Sequence, residues 1–285
     1  MKRTILLLMM LTATACMGAW PDTAETPPNR FWWGVAVTTT TVAATTTAAA
    51  TTTVAATTTT TTTGWSYPEL DSIVLRYVGN VTASTNAQDE AGGDFDGVPY
   101  PTPSSGPVAA SGYYTLDGSD DYYLVDGSSF AALNGKSNVT WAAWIRPLVS
   151  GTSYGRILDR TWNGQFSFYF NDVKAIGFAL KPTGGGVDTT LLTGTGSVTT
   201  GAWHHAVVTY DGETLLGYVD GAVKGTNATP SGALVNYAGD MTIGDRTDGT
   251  DRKYEGRITE LIVWTNKLSA AQISDLYSNG PQPQL

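Results

Sequence analysis

Residues 201–221 read GAWHHAVVTYDGETLLGYVDG, and this stretch decides the fold. Two runs rich in β-branched and aromatic residues, WHHAVVTY (203–210) and LLGYVDG (215–221), flank the residues DGET. Asp-Gly is a strong hairpin signal, because the tight turns that join antiparallel strands require positive φ angles. A second Asp-Gly pair, Asp220 and Gly221, marks the next turn. The stretch therefore predicts a β-hairpin.

Short strands and turn signals alternate on both sides of this hairpin. The run VTWAAWIRP (139–147) places Val139, Trp141, Ala143 and Ile145 on one face, as a period of two requires. Three further runs are predicted to be strands: SIVLRYV (72–78), QFSFYF (165–170), with three phenylalanines on one face, and RITELIVW (257–264). Many short strands at regular spacing are typical of an antiparallel sandwich or barrel.

A single short helix is predicted after the last strand, in LSAAQISDLYSNG (268–280). Ser269 is its N-cap, and Gln272, three residues later, completes a capping box. Ile273, Leu276 and Tyr277 lie on one helical face, which predicts that this face packs against the strands.

The amino terminus has the layout of an export signal. Lys2 and Arg3 precede an apolar run, Thr4 to Leu11, which is too short to span a bilayer. Cys16, the protein's single cysteine, lies where cleavage is expected and excludes a disulfide within the chain. The sequence ATAC resembles the lipobox of bacterial lipoproteins, which predicts a signal peptide over residues 1–16 and lipidation of Cys16. Ordinary secretion is the alternative.

Residues 17–64 are predicted to be a stalk. Residues 39–62 repeat with period six, TTTVAATTTAAATTTVAATTTTTT, and their largest apolar side chains are Val42 and Val54. Such units lack the apolar volume that stacked repeats bury against one another. Threonine favours strands, but an all-threonine strand has no apolar face to specify its register. We therefore expect a disordered, extended spacer, whose hydroxyls are able to carry sugars.

The strand-rich part resembles the laminin-G-like, concanavalin A-like jelly roll common in bacterial surface proteins, over about residues 71–280. The segments that carry the resemblance are SIVLRYVGN with DEAGGDFDG (89–97), YTLDGSDDYYLV (114–125), VTWAAWIRP, residues 201–221, and the closing run that begins TIGDRTDG (242–249). It implies an all-β, two-sheet antiparallel jelly-roll sandwich with one short C-terminal helix, over residues 65–285. Domains of this type resemble lectins, adhesion modules and non-catalytic modules of enzymes, and related sandwiches are glycoside hydrolases.

Catalysis lacks candidate residues. Glycosidases need two carboxylates about the scissile bond. ELDSIV begins with Glu69 and Asp71, but Ile73 and Val74 stand where the second glutamate is required. The only histidines, His204 and His205, are adjacent and point to opposite faces of a strand, so they cannot bind one metal together. No histidine-based triad is evident, and we expect a protein that is not an enzyme.

Aspartate-rich loops are the best candidate for a site. DGSDD offers Asp117, Asp120 and Asp121, and Asp89 in DEAGGDFDG is a fourth candidate ligand. Calcium takes six to eight oxygen ligands, which such loops supply. The alternative is that the aspartates cap turns. A further loop, GDRTDGTD, offers Asp245, Asp248 and Asp251, and Tyr122, Tyr154 and Trp162 are candidates for stacking on a sugar ring or for packing within the domain.

The negative net charge of the chain limits the kinds of partner that it can bind. Without Lys2 and Arg3 the chain has 14 basic and 25 acidic residues, a net charge of −11, which opposes binding to nucleic acid or anionic membranes. We therefore expect a non-catalytic protein, secreted or held at the bacterial surface by a lipid anchor, that binds a carbohydrate or a surface glycoprotein. A self-associating structural subunit of an extracellular or envelope assembly is the alternative, and a divergent glycoside hydrolase is a third interpretation.

Overall fold

The structure, a computed structural model, describes residues 66–79, 86–101, 106–110, 112–149, 154–161, 164–184, 189–247 and 252–283. The predicted signal peptide, Cys16 and the threonine-rich stalk lie outside these residues, as do Trp162, Asp248 and Asp251. Within the described residues, no helix has both the length and the apolar character that a membrane span requires.

The described residues form fifteen strands, a 3₁₀-helix (Leu70–Ser72) and an α-helix, α1 (Ala270–Asn279). In chain order the strands are β1 (Ile73–Tyr77), β2 (Gly97–Tyr100), β3 (Val108–Ala110), β4 (Tyr113–Asp117), β5 (Tyr122–Val125), β6 (Val139–Pro147), β7 (Gly155–Arg160), β8 (Phe166–Phe170), β9 (Ile176–Leu180), β10 (Thr189–Leu192), β11 (His204–Tyr210), β12 (Leu215–Val219), β13 (Ala222–Asn227), β14 (Met241–Ile243) and β15 (Glu255–Trp264).

The strands form two antiparallel sheets. The eight-stranded sheet has the order β13-β12-β11-β6-β15-β4-β3, with β1 also paired to β15. The seven-stranded sheet has the order β10-β9-β8-β7-β14-β5-β2. The predicted hairpin is β11–β12, in which Tyr210 pairs with Leu215 on either side of the turn.

A core of large side chains fills the space between the two sheets. It includes the four residues predicted on one face of β6, Val139, Trp141, Ala143 and Ile145, and the three phenylalanines of β8. Full burial of each large apolar side chain stabilises the folded state by roughly 1.5–3 kcal/mol. The predicted two-sheet antiparallel sandwich is confirmed.

Helix α1 covers the outer face of the eight-stranded sheet. The Ser269 hydroxyl accepts a hydrogen bond from the Gln272 backbone, and the Gln272 side chain accepts one from the Ser269 backbone. Ile273 and Leu276 are buried in a second apolar cluster that includes Trp264. The predicted helix, its capping box and its apolar face are therefore confirmed.

Candidate functional site

The turn between β4 and β5 is organised by the carboxylate of Asp117. Its Oδ1 accepts backbone hydrogen bonds from Ser119, Asp120 and Asp121, at 2.8, 3.2 and 3.4 Å. Desolvation opposes the charge of Asp117, but these backbone donors outweigh it and lower its pKa. The expected turn-capping role is thus present, and it leaves the second oxygen of Asp117 outside these three bonds.

Asp121 closes the same turn from a buried position. The residue is 6% exposed, and its Oδ2 accepts the Asp117 backbone N–H at 3.1 Å. Its Oδ1 is buried and accepts no hydrogen bond from any described residue. Burial, followed by the charges of Asp117 and Asp120, raises the pKa of Asp121 to about 6. The Asp121 carboxylate therefore lacks the nearby positive charge or hydrogen-bond donors that would stabilise its ionised form.

The structure brings together three of the four predicted metal ligands. One oxygen each from Asp117, Asp120 and Asp121 lies within 4.8 Å of the other two, and Asp120 is exposed to solvent. Asp89 does not join this cluster. Its Oδ1 accepts the backbone N–H groups of Arg76 and Ala91, so it fixes a different loop.

A pair of tyrosines lies on the outer face of the seven-stranded sheet. Tyr123 and Val125 point into the core, so Tyr122 points away from it. Tyr100, its partner across β2 and β5, stacks on it with 5.0 Å between ring centroids and 7° between ring planes. Tyr100 is 38% exposed. Burial, followed by the neighbouring Tyr100, raises the pKa of Tyr122.

Charged groups border this tyrosine pair. Asp245 and Lys253 form an ion pair at 3.2 Å, and both exert an electrostatic effect on Tyr122. Val98 pairs with Leu124 two residues along the same two strands, on the same face as the tyrosine pair, and is 49% exposed. The edge of the sheet therefore presents flat aromatic and aliphatic surface beside hydrogen-bonding groups.

Tyr154, another predicted ligand-binding residue, lies in a separate aromatic cluster. It is 40% exposed, and its ring meets the edge of Tyr169 with centroids 5.4 Å apart. The guanidinium groups of Arg252 and Arg156 lie over Tyr154 and Tyr169, at 5.0 and 4.9 Å from the ring centroids. Such cation–π contacts fix both rings in place.

A hydroxyl–imidazole–carboxylate chain, which no pattern in the sequence indicates, lies at the start of β11. His204 Nδ1 is 2.8 Å from Asp220 Oδ2, and His204 Nε2 is 2.9 Å from the Thr199 hydroxyl. The Thr199 backbone N–H also donates to Nε2, at 3.1 Å. The single lone pair of Nε2 is therefore already engaged, and it is not available as a base for the hydroxyl. This arrangement links a loop to the β12–β13 turn.

A buried polar cluster lies under the carboxyl end of α1. Glu260 lies at a bulge of β15 with φ of 45°, and it accepts a hydrogen bond from the Tyr67 hydroxyl. Arg76 lies 3.8 Å from Glu260, and burial raises the pKa of Glu260 despite this neighbour. A cavity of about 10 Å³ beside it is lined by His205 and Trp144, and it has the size of one water molecule.

Glu69, from the candidate glycosidase motif, has a structural role. Its carboxylate accepts hydrogen bonds from Asn266 at 3.1 Å and from Gln272 at 3.3 Å. It therefore joins the segment before β1 to the amino end of α1. Asp71 lies in the exposed 3₁₀-helix that follows.

Solved structures similar to this chain include binding domains of bacterial toxins. The binding domain of Paraclostridial Mosquitocidal Protein 1 has a TM-score of 0.58 at 14% identity, covering 73% of this chain and 52% of that one. The botulinum neurotoxin serotype D ligand-binding domain, solved with N-acetylneuraminic acid, has a TM-score of 0.56 at 16% identity, covering 73% and 51%. This chain thus spans about half the length of these toxin domains.

A third similar structure is domain 4 of AbnA, an extracellular arabinanase from Geobacillus stearothermophilus, solved with arabinotriose. Its TM-score is 0.51 at 16% identity, and the match covers 72% of this chain and 98% of that domain. At these identities the likeness establishes a shared fold. No curated protein sequence matches the chain. The family model described as Concanavalin A-like lectin/glucanases superfamily, of the laminin G type, matches residues 117–274. Since this match spans more than half of the chain, the protein belongs to the concanavalin A-like lectin/glucanases superfamily.

Proposed function

We propose that this protein is an exported, non-catalytic binding protein whose sandwich domain recognises a carbohydrate. The single observation that carries the proposal is the stacked pair Tyr100–Tyr122 on the outer face of the seven-stranded sheet. A tyrosine offers an apolar ring and a polar hydroxyl, which match the C–H face and the hydroxyls of a sugar ring. Similar domains were solved with N-acetylneuraminic acid and with arabinotriose, which supports a saccharide as ligand.

The groups around the tyrosine pair supply the polar part of such a site. Lys253 and the buried Asp245 form an ion pair at 3.2 Å that acts electrostatically on Tyr122, and Lys253 is the member of the pair that can donate to a ligand. Sugar-binding sites need few polar groups, provided that these are fixed in place. The ion pair between the two residues holds each side chain near the aromatic surface.

Binding without bond cleavage fits the placement of the carboxylates. Glu69 is occupied by Asn266 and Gln272, and His204 is held between Thr199 and Asp220. The proposed route to the surface is export through residues 1–16, lipidation at Cys16 and display on the threonine-rich stalk. Mass spectrometry of the mature amino terminus tests the anchor, and an unmodified peptide beginning after Cys16 would contradict it.

A glycan array probed with the full chain tests carbohydrate binding. We expect a defined set of glycans to bind, and Tyr100→Ala to weaken that binding at least tenfold. Leu192→Ala is the matched control, because Leu192 is 48% exposed on β10, at the opposite edge of the same sheet. Array binding that survives Tyr100→Ala and Tyr122→Ala unchanged would place the ligand elsewhere, and the absence of any bound glycan would contradict the proposal.

A structural subunit is the second candidate function, favoured by the exposure of Val98. The residue lies on β2, the edge strand of the seven-stranded sheet, and exposed apolar edges invite pairing with another chain. Light scattering of the wild type and of Val98→Lys distinguishes the roles. Concentration-dependent oligomers that Val98→Lys abolishes would favour the subunit, and a monomer at all concentrations would exclude assembly through this edge.

A further inference from the structure

Two arginines lie side by side on the outer face of the eight-stranded sheet. Arg146 of β6 and Arg257 of β15 are direct partners in the antiparallel register. Their neighbours Ile145 and Ile258 belong to the core, so both arginines point away from it, and both are partly exposed. Residues paired in this way have Cβ atoms about 4.5–5.5 Å apart, and like charges directly opposite each other destabilise a sheet. The fold therefore holds two positive charges close together.

No carboxylate compensates this pair within the part of the chain that the structure describes. Neither arginine forms an ion pair there, and Nε of Arg257 has no hydrogen-bond partner. Arg146 donates from Nε to the Gly201 carbonyl, at 2.8 Å, which leaves its terminal nitrogens for another acceptor. Glu255, two residues along β15, lies over Gly118 in the β4–β5 turn. Two guanidinium groups with donors to spare attract an anion from outside the protein.

Two aromatic rings border the arginine pair. The guanidinium of Arg257 lies over the Tyr113 ring, 4.6 Å from its centroid. Trp203 directly precedes β11, the other neighbour of β6, and its ring centroid lies 5.8 Å from that of Tyr113, with the ring planes tilted by 60°. Both aromatic side chains are partly exposed. Aromatic surface next to charged donors suits a ligand that joins an anionic group to a ring with C–H faces.

The number of donors and charges selects the kind of anion. One guanidinium fork satisfies the two oxygens of a carboxylate, whereas two forks are able to share the three oxygens of a phosphate monoester. Such a monoester carries a charge of about −1.5 to −2 at pH 7, which two guanidinium groups balance, while a sulfate ester carries a single charge. We propose that Arg146 and Arg257 bind the phosphate of a phosphorylated sugar, whose ring contacts Tyr113 and Trp203.

The net charge of the chain does not oppose this ligand. A net charge of −9 acts against long polyanions, but the binding of one phosphate ester depends on the charges within a few ångströms of it. The site lies on the sheet opposite the stacked tyrosine pair, so it does not depend on the carbohydrate site proposed there.

Calorimetric titration of the full chain tests the site. The probes are the 6-phosphates of glucose, mannose and N-acetylglucosamine, with the free sugars, inorganic phosphate and N-acetylglucosamine 6-sulfate for comparison. We expect at least one sugar phosphate to bind at least tenfold more tightly than inorganic phosphate and than its own free sugar. The sulfate should bind more weakly than the matching phosphate, because it carries less charge.

Variants separate the roles of charge, fork and ring. Arg146→Gln and Arg257→Gln should each weaken sugar-phosphate binding at least tenfold, and Arg257→Lys, which keeps the charge without the fork, should weaken it severalfold. Tyr113→Ala should weaken binding of the sugar phosphate but not of inorganic phosphate, and that retained binding shows that the variant is folded. Lys224→Gln is the matched control, since it removes a positive charge from an exposed residue of β13, at the far edge of the same sheet.

Three results would overturn the proposal. The first is that none of the three sugar phosphates binds more tightly than inorganic phosphate. The second is binding that both glutamine variants leave unchanged, or that Lys224→Gln weakens as much as they do. The third is a sugar sulfate that binds as tightly as the matching sugar phosphate.

Discussion

His205 lies against Trp144, with 5.1 Å between the ring centroids, in the layer where α1 covers the eight-stranded sheet. Tyr277 of α1 stacks on both rings, with centroids 5.8 Å from Trp144 and 6.3 Å from His205. His205 is 3% exposed, and its Nδ1 has no partner among the described residues. Burial lowers the pKa of His205 to about 4, although the charge of Asp220 opposes this shift. The helix therefore packs on a neutral imidazole.

This burial predicts a pH-dependent stability. The unfolded chain binds a proton at His205 below its ordinary pKa of 6.5, whereas the folded chain does not bind it until about pH 4. The neutral imidazole of His205 therefore makes its full contribution to the free energy of unfolding above pH 6.5. This contribution falls between pH 6.5 and 4, and it amounts to about 3 kcal/mol at most. We expect urea unfolding to show that His205→Phe flattens this slope. If the free energy of unfolding changed with pH in the same way in the wild type and in the variant, the interpretation of His205 as a neutral, buried imidazole would be contradicted.

Asp220 is predicted to stabilise the β12–β13 turn. Its carboxylate accepts hydrogen bonds from His204 Nδ1 at 2.8 Å and from the His205 backbone at 2.9 Å, and its φ is 52°. Asp220→Ala removes both bonds and places alanine in a strained conformation, so we expect a loss of about 1–3 kcal/mol. Asp220→Asn tolerates this conformation and keeps an acceptor, and it is the control. Equal unfolding midpoints for both variants would contradict the role of the acceptor.

Local patterns predicted the parts of the fold that depend on neighbours in sequence. The alternation around Trp141, the Asp211-Gly212 turn and the capping box of Ser269 each contain their signal within a few residues. The cluster Asp117–Asp121 was predictable for the same reason, since one turn positions all three aspartates. Asp89 lies in another loop, and its distance from that turn depends on the packing of strands.

Pairings between distant segments were not predictable. Tyr100 was not a candidate, because its stacking on Tyr122 depends on the register of β2 against β5. The Thr199–His204–Asp220 chain depends equally on a loop meeting a turn. The buried guanidinium of Arg160 is surrounded by backbone carbonyls. Every residue has a backbone carbonyl, so no pattern in the sequence marks these acceptors.

Gly177 is predicted to be required for the packing of Tyr169. The two residues pair across β9 and β8, and a Cβ at Gly177 would lie 2.0 Å from the Tyr169 ring. That ring is 5% exposed and held between Tyr154 and Arg156, so it cannot move without breaking those contacts. We expect Gly177→Ala to cost about 1–3 kcal/mol in chemical denaturation.

The matched control for this substitution is Gly194→Ala. A Cβ at Gly194 meets no atom within 4 Å, and the residue is exposed. Its stability should stay within about 0.5 kcal/mol of the wild type, as for most surface changes. A Gly177→Ala protein as stable as Gly194→Ala would show that the tyrosine cluster is free to rearrange.

Arg160 is predicted to be the most sensitive charged residue of the core. It is fully buried, and burial lowers its pKa to about 10. Its guanidinium donates hydrogen bonds to the Gln165 side chain and to the backbone carbonyls of Gly127, Phe130, Tyr237 and Gly239, at 2.8–3.2 Å. One planar group therefore joins β7 to two separate loops.

Lysine cannot replace this group, because a single ammonium lacks the planar fork that reaches acceptors in several directions. We expect Arg160→Lys and Arg160→Met each to lose about 3–5 kcal/mol, since both leave buried carbonyls without donors. Arg146→Lys is the control. Arg146 is partly exposed and donates from Nε to the Gly201 carbonyl at 2.8 Å, so its replacement should cost less than about 1 kcal/mol. Urea unfolding measures all three variants, and an Arg160→Lys protein as stable as Arg146→Lys would contradict the bridging role.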